Sequence, residues 1–181
     1  VIRNDTLRTG DKLILTKPLG VGIIMAAARA DCASDEAQAK AVASMERLNR
    51  YAAEKMAGHD ISACTDITGF GLLAHLGEMA AGRVSIKVYA DALPTLPEAV
   101  EHGDGCLLTA AGQRNRNHLG GRVNVDALPF ATQELLFDPQ TSGGLLIAVA
   151  PGEADAICAA IQRDDPAASI VGEVIPLADC E

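Results

Sequence analysis

Tryptophan is absent from this chain and aromatic residues make up only 3% of it, so the stacking surfaces that hold single-stranded nucleic acids are scarce. Positive charge is in short supply as well. Fifteen Lys and Arg against twenty-four Asp and Glu leave a formal charge of −9, which repels phosphate backbones and anionic lipid alike. Neither nucleic acid nor a membrane is therefore expected as a partner. No apolar run reaches the roughly eighteen residues a membrane span needs, and the first residues lack a basic-then-apolar leader pattern. There is no C-x-x-C pair. The five cysteines (Cys32, Cys64, Cys106, Cys158, Cys180) are odd in number and scattered, which argues against a disulfide framework and a zinc cluster. The thiols are expected to be reduced and mostly buried, and the protein cytoplasmic. The glycine-rich phosphate loop ending in Gly-Lys-Ser or Gly-Lys-Thr is missing, and Gly69-Phe70-Gly71 lacks the third glycine of a dinucleotide fingerprint.

What is present suffices for one domain, residues 1–181, because 49% apolar residues can bury a core of ordinary size. The chain begins at Val1 rather than Met, and is expected to be a piece cut at a linker. Lys12-Leu13-Ile14-Leu15-Thr16 reads as a strand stopped by Lys17-Pro18-Leu19-Gly20. From Ser34, Ala41, Met45, Leu48, Ala52 and Met56 recur at helical spacing, with Ser34 as N-cap and Gly58 as stop, which predicts one long helix. A short strand over 61–65, a helix through Leu72, Leu76 and Met79 ended by Gly82, and an alternating strand over 84–88 follow. Further on, 145–149 reads as a buried strand, 153–163 as a helix and 169–175 as another strand. Between them, residues 103–124 hold five glycines and three asparagines with weak periodicity, and predict a long mobile loop in which Arg114 and Arg116 either cover an anionic substrate or, as is favoured, are solvated. The expected class is α/β or α+β, with helices covering a mixed sheet.

Chemistry concentrates in two turns. Thr65-Asp66-Ile67-Thr68-Gly69-Phe70-Gly71 places one carboxylate in a glycine-hinged turn between a strand and a helix. If Thr68 caps that helix, the amides of Gly69, Phe70 and Gly71 point out of its N-terminus, where anions are favoured. A carboxylate beside free amides suits a phosphate bound to Mg²⁺, which typically takes one or two protein carboxylates and keeps several waters. Asp66 as a simple turn cap is the competing reading. Asp138-Pro139-Gln140-Thr141-Ser142-Gly143-Gly144 repeats the style, either as a rigid way into a strand or as a backbone cradle close to substrate. Lys17 stands where it can reach a phosphate from the end of its strand, or be a solvated charge. The four histidines show no ligand spacing and are taken as structural.

These two turns, from Thr65 to Leu76 and from Asp138 to Leu146, together with Leu15-Thr16-Lys17-Pro18-Leu19-Gly20, resemble the C-terminal half of selenophosphate synthetases (selenide, water dikinases) in the same order. The similarity runs from about Lys12 to Ile175. A wider superfamily, with aminoimidazole ribonucleotide synthetase, thiamine-phosphate kinase and a hydrogenase-maturation protein, shares the general fold. The resemblance implies a three-layer α/β/α domain with a mixed sheet, like the C-terminal domain of aminoimidazole ribonucleotide synthetase and partly ferredoxin-like. It implies an ATP-dependent enzyme converting selenide, ATP and water to selenophosphate, AMP and orthophosphate with Mg²⁺. Its active site lies between two domains, and the family's reactive Cys or selenocysteine, its essential Lys and its other metal-binding aspartates belong to the N-terminal one, leaving no catalytic residue in this chain. Asp66 carries over as a metal ligand, with Thr68, Gly69, Lys17, Thr141, Ser142 and Gly143 as candidate substrate contacts. The implied partners are ATP, selenide, the N-terminal domain and a second subunit in a homodimer. Another ATP-dependent synthetase or kinase of the superfamily, and a non-catalytic dimerisation or scaffold domain, are the alternatives. Where the family often has Pro-Gly-Gly-Thr before an Arg-Asn pair, this chain has Thr109-Ala110-Ala111-Gly112-Gln113 before Arg114-Asn115, and no role carries over for that segment.

Overall fold

The computed structural model describes residues 2–178. In chain order they form β1 (Lys12–Leu15), α1 (Val21–Arg29), α2 (Asp35–Glu46), α3 (Arg50–Lys55), β2 (Ile61–Asp66), α4 (Gly71–Ala80), β3 (Val84–Val88), α5 (Ala99–Asp104), α6 (Ala110–Leu119), α7 (Phe130–Phe137), β4 (Leu145–Val149), α8 (Ala154–Gln162) and β5 (Ser169–Pro176). The strands build one sheet in the order β2-β4-β1-β5-β3.

The apolar runs of β1 and β4 are continuous because these inner strands are covered on both faces. Leu13 and Leu15 with Leu146 and Ala148 point into one core, packed by α1, α2, α4 and α7. Ile14 with Ile147 and Val149 points into the other, against α3 and α8. That gives the expected α+β class in three layers. The sheet, however, is antiparallel in every pairing rather than mixed. Helical crossovers do connect strands of like direction, β1 to β2 and β4 to β5, but each skips a place in the sheet. β4 fills the first gap and β1 the second, so the strands joined by a crossover are never neighbours.

Three other expectations are corrected. The helix expected over 34–58 is two helices. Ser34 does cap α2, its hydroxyl accepting from the Ala37 N–H, but Arg47 turns extended. Ala37 and Ala41 belong to the first core, whereas Ala52 and Met56 belong to the second, so the chain crosses from one sheet face to the other and a straight helix cannot serve both. The mobile loop expected over 103–124 contains α6, capped by Thr109, whose Oγ1 accepts from the Gly112 N–H. Its buried positions are Gly112, Asn115 and Leu119, a helical spacing with too little apolar character to read as one. Arg116 is not solvated there: its guanidinium pairs with the buried Glu134 at 2.6 Å and lies 4.5 Å over the Phe137 ring. Finally, of the four described cysteines only Cys158 is buried, while Cys32 and Cys106 are exposed; all four are unbridged, and Cys180 lies outside the described residues. No helix among the described residues is long and apolar enough to cross a membrane.

Candidate functional site

The three segments singled out in the sequence meet at one end of the sheet. β1 and β2 finish there and β4 begins there, with Leu15 opposite Leu146 and Asp66 opposite Leu145. Beyond the ladder the backbone stays stitched. Thr16 N–H donates to Leu145 O, Ile67 N–H to Gly144 O and Gln140 N–H to Thr68 O, at 2.9–3.1 Å. Thr16 Oγ1 accepts the Leu145 N–H at 2.8 Å. The two turns are thus packed side by side. At Gly143 a Cβ would be driven into the Ile67 carbonyl, so only glycine allows this approach.

Asp66 lies at the strand end with its carboxylate exposed, and Gly69 and Phe70 beside it are exposed too. A side chain at Gly69 would meet no protein atom, so space is open against this backbone. Among the described residues no group of three or more His, Cys, Asp or Glu could hold a metal ion. Asp66 therefore offers one carboxylate, which fits a cation that draws its remaining ligands from water and a phosphate-bearing substrate.

Thr68 does not cap α4 with its side chain, as expected from the sequence; the helix starts at Gly71, whose N–H bonds Thr68 O. Instead the Thr68 N–H donates to His75 Nε2 at 3.1 Å, with Thr68 Oγ1 3.0 Å from the same nitrogen. An Nε2 that accepts leaves the ring proton on Nδ1, which faces Glu78 Oε2 at 3.3 Å. His75 thereby ties the start of α4 to the Asp66 turn.

Lys17 is a second correction. It is 2% exposed, and its ammonium donates to Ser44 O (3.0 Å), Arg47 O (2.6 Å) and Ser142 O (2.9 Å). All three hydrogens are spent on carbonyls, and burial pushes its pKa down. Here it braces the end of α2 against the second turn rather than reaching for a phosphate. Thr141 and Ser142 are exposed at the rim, with Ser142 held at φ 51°. Asn49 donates to Gly143 O at 2.8 Å, so both carbonyls after Thr141 are tied inward.

Two polar residues escaped the sequence reading as partners of α1. Asp138 Oδ2 accepts from the Gly22 N–H and from Gln140 Nε2, both at 2.9 Å, while Gln140 Oε1 faces the Val21 N–H at 3.3 Å. The second turn thereby caps a helix more than a hundred residues upstream, a link that no local capping pattern reveals. Asp138 is 2% exposed, and burial raises its pKa to about 7.

Residues 8–179 match the family model described as AIR synthase related protein, C-terminal domain. The chain is 56% identical over 178 residues to a selenide, water dikinase of Desulfitobacterium hafniense (strain DSM 10664 / DCB-2), covering 98% of this chain and 52% of that protein. It is 44% identical to a selenide, water dikinase of Trichlorobacter lovleyi, over 99% of this chain and 52% of the relative. The chain thus spans about half the length of the curated relatives it matches, and the resemblance read from the three motifs holds. Among solved structures, hydrogenase maturation protein HypE superposes with a TM-score of 0.71 at 19% identity, over 98% of this chain and 48% of that one. Thiamine-monophosphate kinase from Stenotrophomonas maltophilia K279a gives 0.62 at 18%, over 97% and 51%. At such identities these two show the fold alone.

Proposed function

The chain belongs to the family of AIR synthase related protein C-terminal domains, and from that premise we propose that it is the carboxy-terminal domain of a two-domain selenide, water dikinase. The reaction is the ATP-dependent conversion of selenide and water to selenophosphate, AMP and orthophosphate. The observation that supports it most is 56% identity to a protein of that name across 98% of this chain, including both turns that pack together at the sheet end. In this reading Asp66 contributes one carboxylate to Mg²⁺, and the exposed backbone of Gly69 and Phe70 and the rim residues Thr141 and Ser142 border the bound nucleotide. The cation supplies neutralisation of charge on the phosphoryl oxygens. This chain supplies a fixed carboxylate and outward amides, and leaves the nucleophile and remaining ligands to the N-terminal half. The assembly that accompanies the reading is a cytoplasmic homodimer.

The test uses the full-length protein with ATP, selenide and Mg²⁺, following selenophosphate by phosphorus NMR and AMP by chromatography. Product is expected, together with a fall of about a hundredfold or more for Asp66→Asn at nearly unchanged melting temperature, the scale of one lost electrostatic contact in an active site. If Asp66 only caps its turn, Asn serves about as well there and activity survives. Turnover of aminoimidazole ribonucleotide precursors or thiamine monophosphate without selenide turnover would replace this reading by another member of the superfamily.

A further inference from the structure

We infer that Asn115 is a positioning residue for the site: its amide ties the Asp66 turn to the Asp138 turn and sets the direction in which the Phe70 N–H points. This rests on the function proposed above. Asn115 lies on α6, just after the 109–113 stretch that departs from the family pattern, and is 7% exposed. Its Nδ2 donates to Gly69 O at 2.9 Å and to Phe137 O at 3.0 Å. Both partners are carbonyls, so the amide nitrogen must be the atom facing them.

One carbonyl belongs to the Asp66 turn and the other to the last residue of α7, just ahead of Asp138, and they meet where the chain has least slack. Gly71 sits at φ 76°, and a Cβ there would come 2.8 Å from Phe137 O. The Asn115 amide adds to the Gln140–Thr68 and Ile67–Gly144 hydrogen bonds that already join the two turns. α6 is itself a firm base. Gln113 and Arg116, on either side of Asn115, both bind the buried Glu134 of α7, at 2.7 and 2.6 Å.

The consequence for the site follows from peptide geometry. No peptide bond among the described residues is cis, and in a planar trans peptide the N–H points opposite to the C=O. Holding Gly69 O toward α6 therefore turns the Phe70 N–H away from it, on the exposed stretch that follows Asp66. A carboxylate and an amide held beside each other in this way match a cation and the phosphate oxygen it carries. Without Asn115 the Gly69–Phe70 peptide is free to rotate, and both the amide and the Asp66 turn lose their fixed orientation.

The test compares Asn115→Leu, similar in size without donors, and Asn115→Gln, which keeps donors on a longer arm, with Ile157→Ala, a core truncation on the other face of the sheet, all in the full-length protein. Asn115→Leu is expected to lower kcat about a hundredfold, the scale of a misplaced group in an active site, and to raise the Mg²⁺ concentration for half activity about tenfold. Asn115→Gln should recover part of both. Ile157→Ala should lose melting temperature yet keep its Mg²⁺ dependence. Without metal or nucleotide, the amides of residues 69–71 should exchange hydrogen at least about tenfold faster in Asn115→Leu than in wild type, and Ile157→Ala should leave them unchanged. Wild-type kcat, Mg²⁺ dependence and exchange in a folded Asn115→Leu protein, with Asp66→Asn inactive, would overturn the positioning role and leave the proposed function standing. A fully active Asp66→Asn protein would overturn the function, and this inference with it.

Discussion

Replacing Lys17 by Met separates a brace from a phosphate ligand. The side chain is 2% exposed and its ammonium is held by the carbonyls of Ser44, Arg47 and Ser142. A hydrogen bond to a charged group contributes about 1.5–3 kcal/mol, and a buried carbonyl left without a donor costs about 1–3 kcal/mol. Against this, Met removes the cost of burying a charge, which the lowered pKa of Lys17 reports and which amounts to several kcal/mol for an ion in an interior. Removing these three hydrogen bonds while relieving one desolvation leaves a net destabilisation of about 3 kcal/mol. For a chain of 181 residues each kcal/mol moves the midpoint by about 2–4 °C, which puts the expected drop near 6–12 °C. Thermal unfolding of this chain followed by circular dichroism measures it. A variant melting within about 2 °C of wild type, whose full-length form loses ATP affinity, would refute the brace and restore Lys17 as a ligand.

A pH dependence is expected from Asp138, whose folded pKa is raised to about 7 by burial. The folded state then holds a proton that the unfolded chain releases near pH 4, so stability is full below that point and falls as pH rises toward 7. Between pH 5 and pH 8 wild type should lose about 3 kcal/mol more than Asp138→Asn in urea unfolding, and parallel pH profiles would refute the raised pKa. This chain by itself should not hydrolyse ATP, because one exposed carboxylate and no group of three metal-ligating side chains among the described residues cannot stabilise a phosphoryl-transfer transition state. Phosphate release above the rate of a buffer control would contradict that.

The parts of the fold that could be read from the sequence are those where burial follows a simple period. β1 and β4 stand out as short apolar runs, and α4 and α8 as amphipathic stripes, because each packs apolar side chains against a sheet face. Periodicity does not say which face of the sheet a helix covers. That is why the α2 and α3 segments read as one helix although Lys17 and Arg47 sit at a crossing between layers. Pairing order is invisible for the same reason: alternation of strands and helices signals crossovers but not the strand that slips between their ends.

At the site, the motifs show which backbone matters but not what holds it. Asp66, Gly143 and Ser142 lie in turns that glycine and proline mark in the sequence, and the structure does bring those turns together. The groups that fix them are spread over other elements: His75 on α4, Asn115 on α6, Lys17 after β1 and Asn49 between α2 and α3. None follows a ligand spacing, because each binds main-chain atoms whose positions the sequence pattern does not reveal. A lysine before a proline and an asparagine in a glycine-rich stretch look like solvated residues until the carbonyls they serve are located. In the role proposed for Asp66, its carboxylate is presented to a cation in a fixed direction because side chains behind the turns bind their main chain. Unlike the exposed Asp66, Thr141 and Ser142, Lys17 and Asn115 point into the protein because the carbonyls they serve lie there.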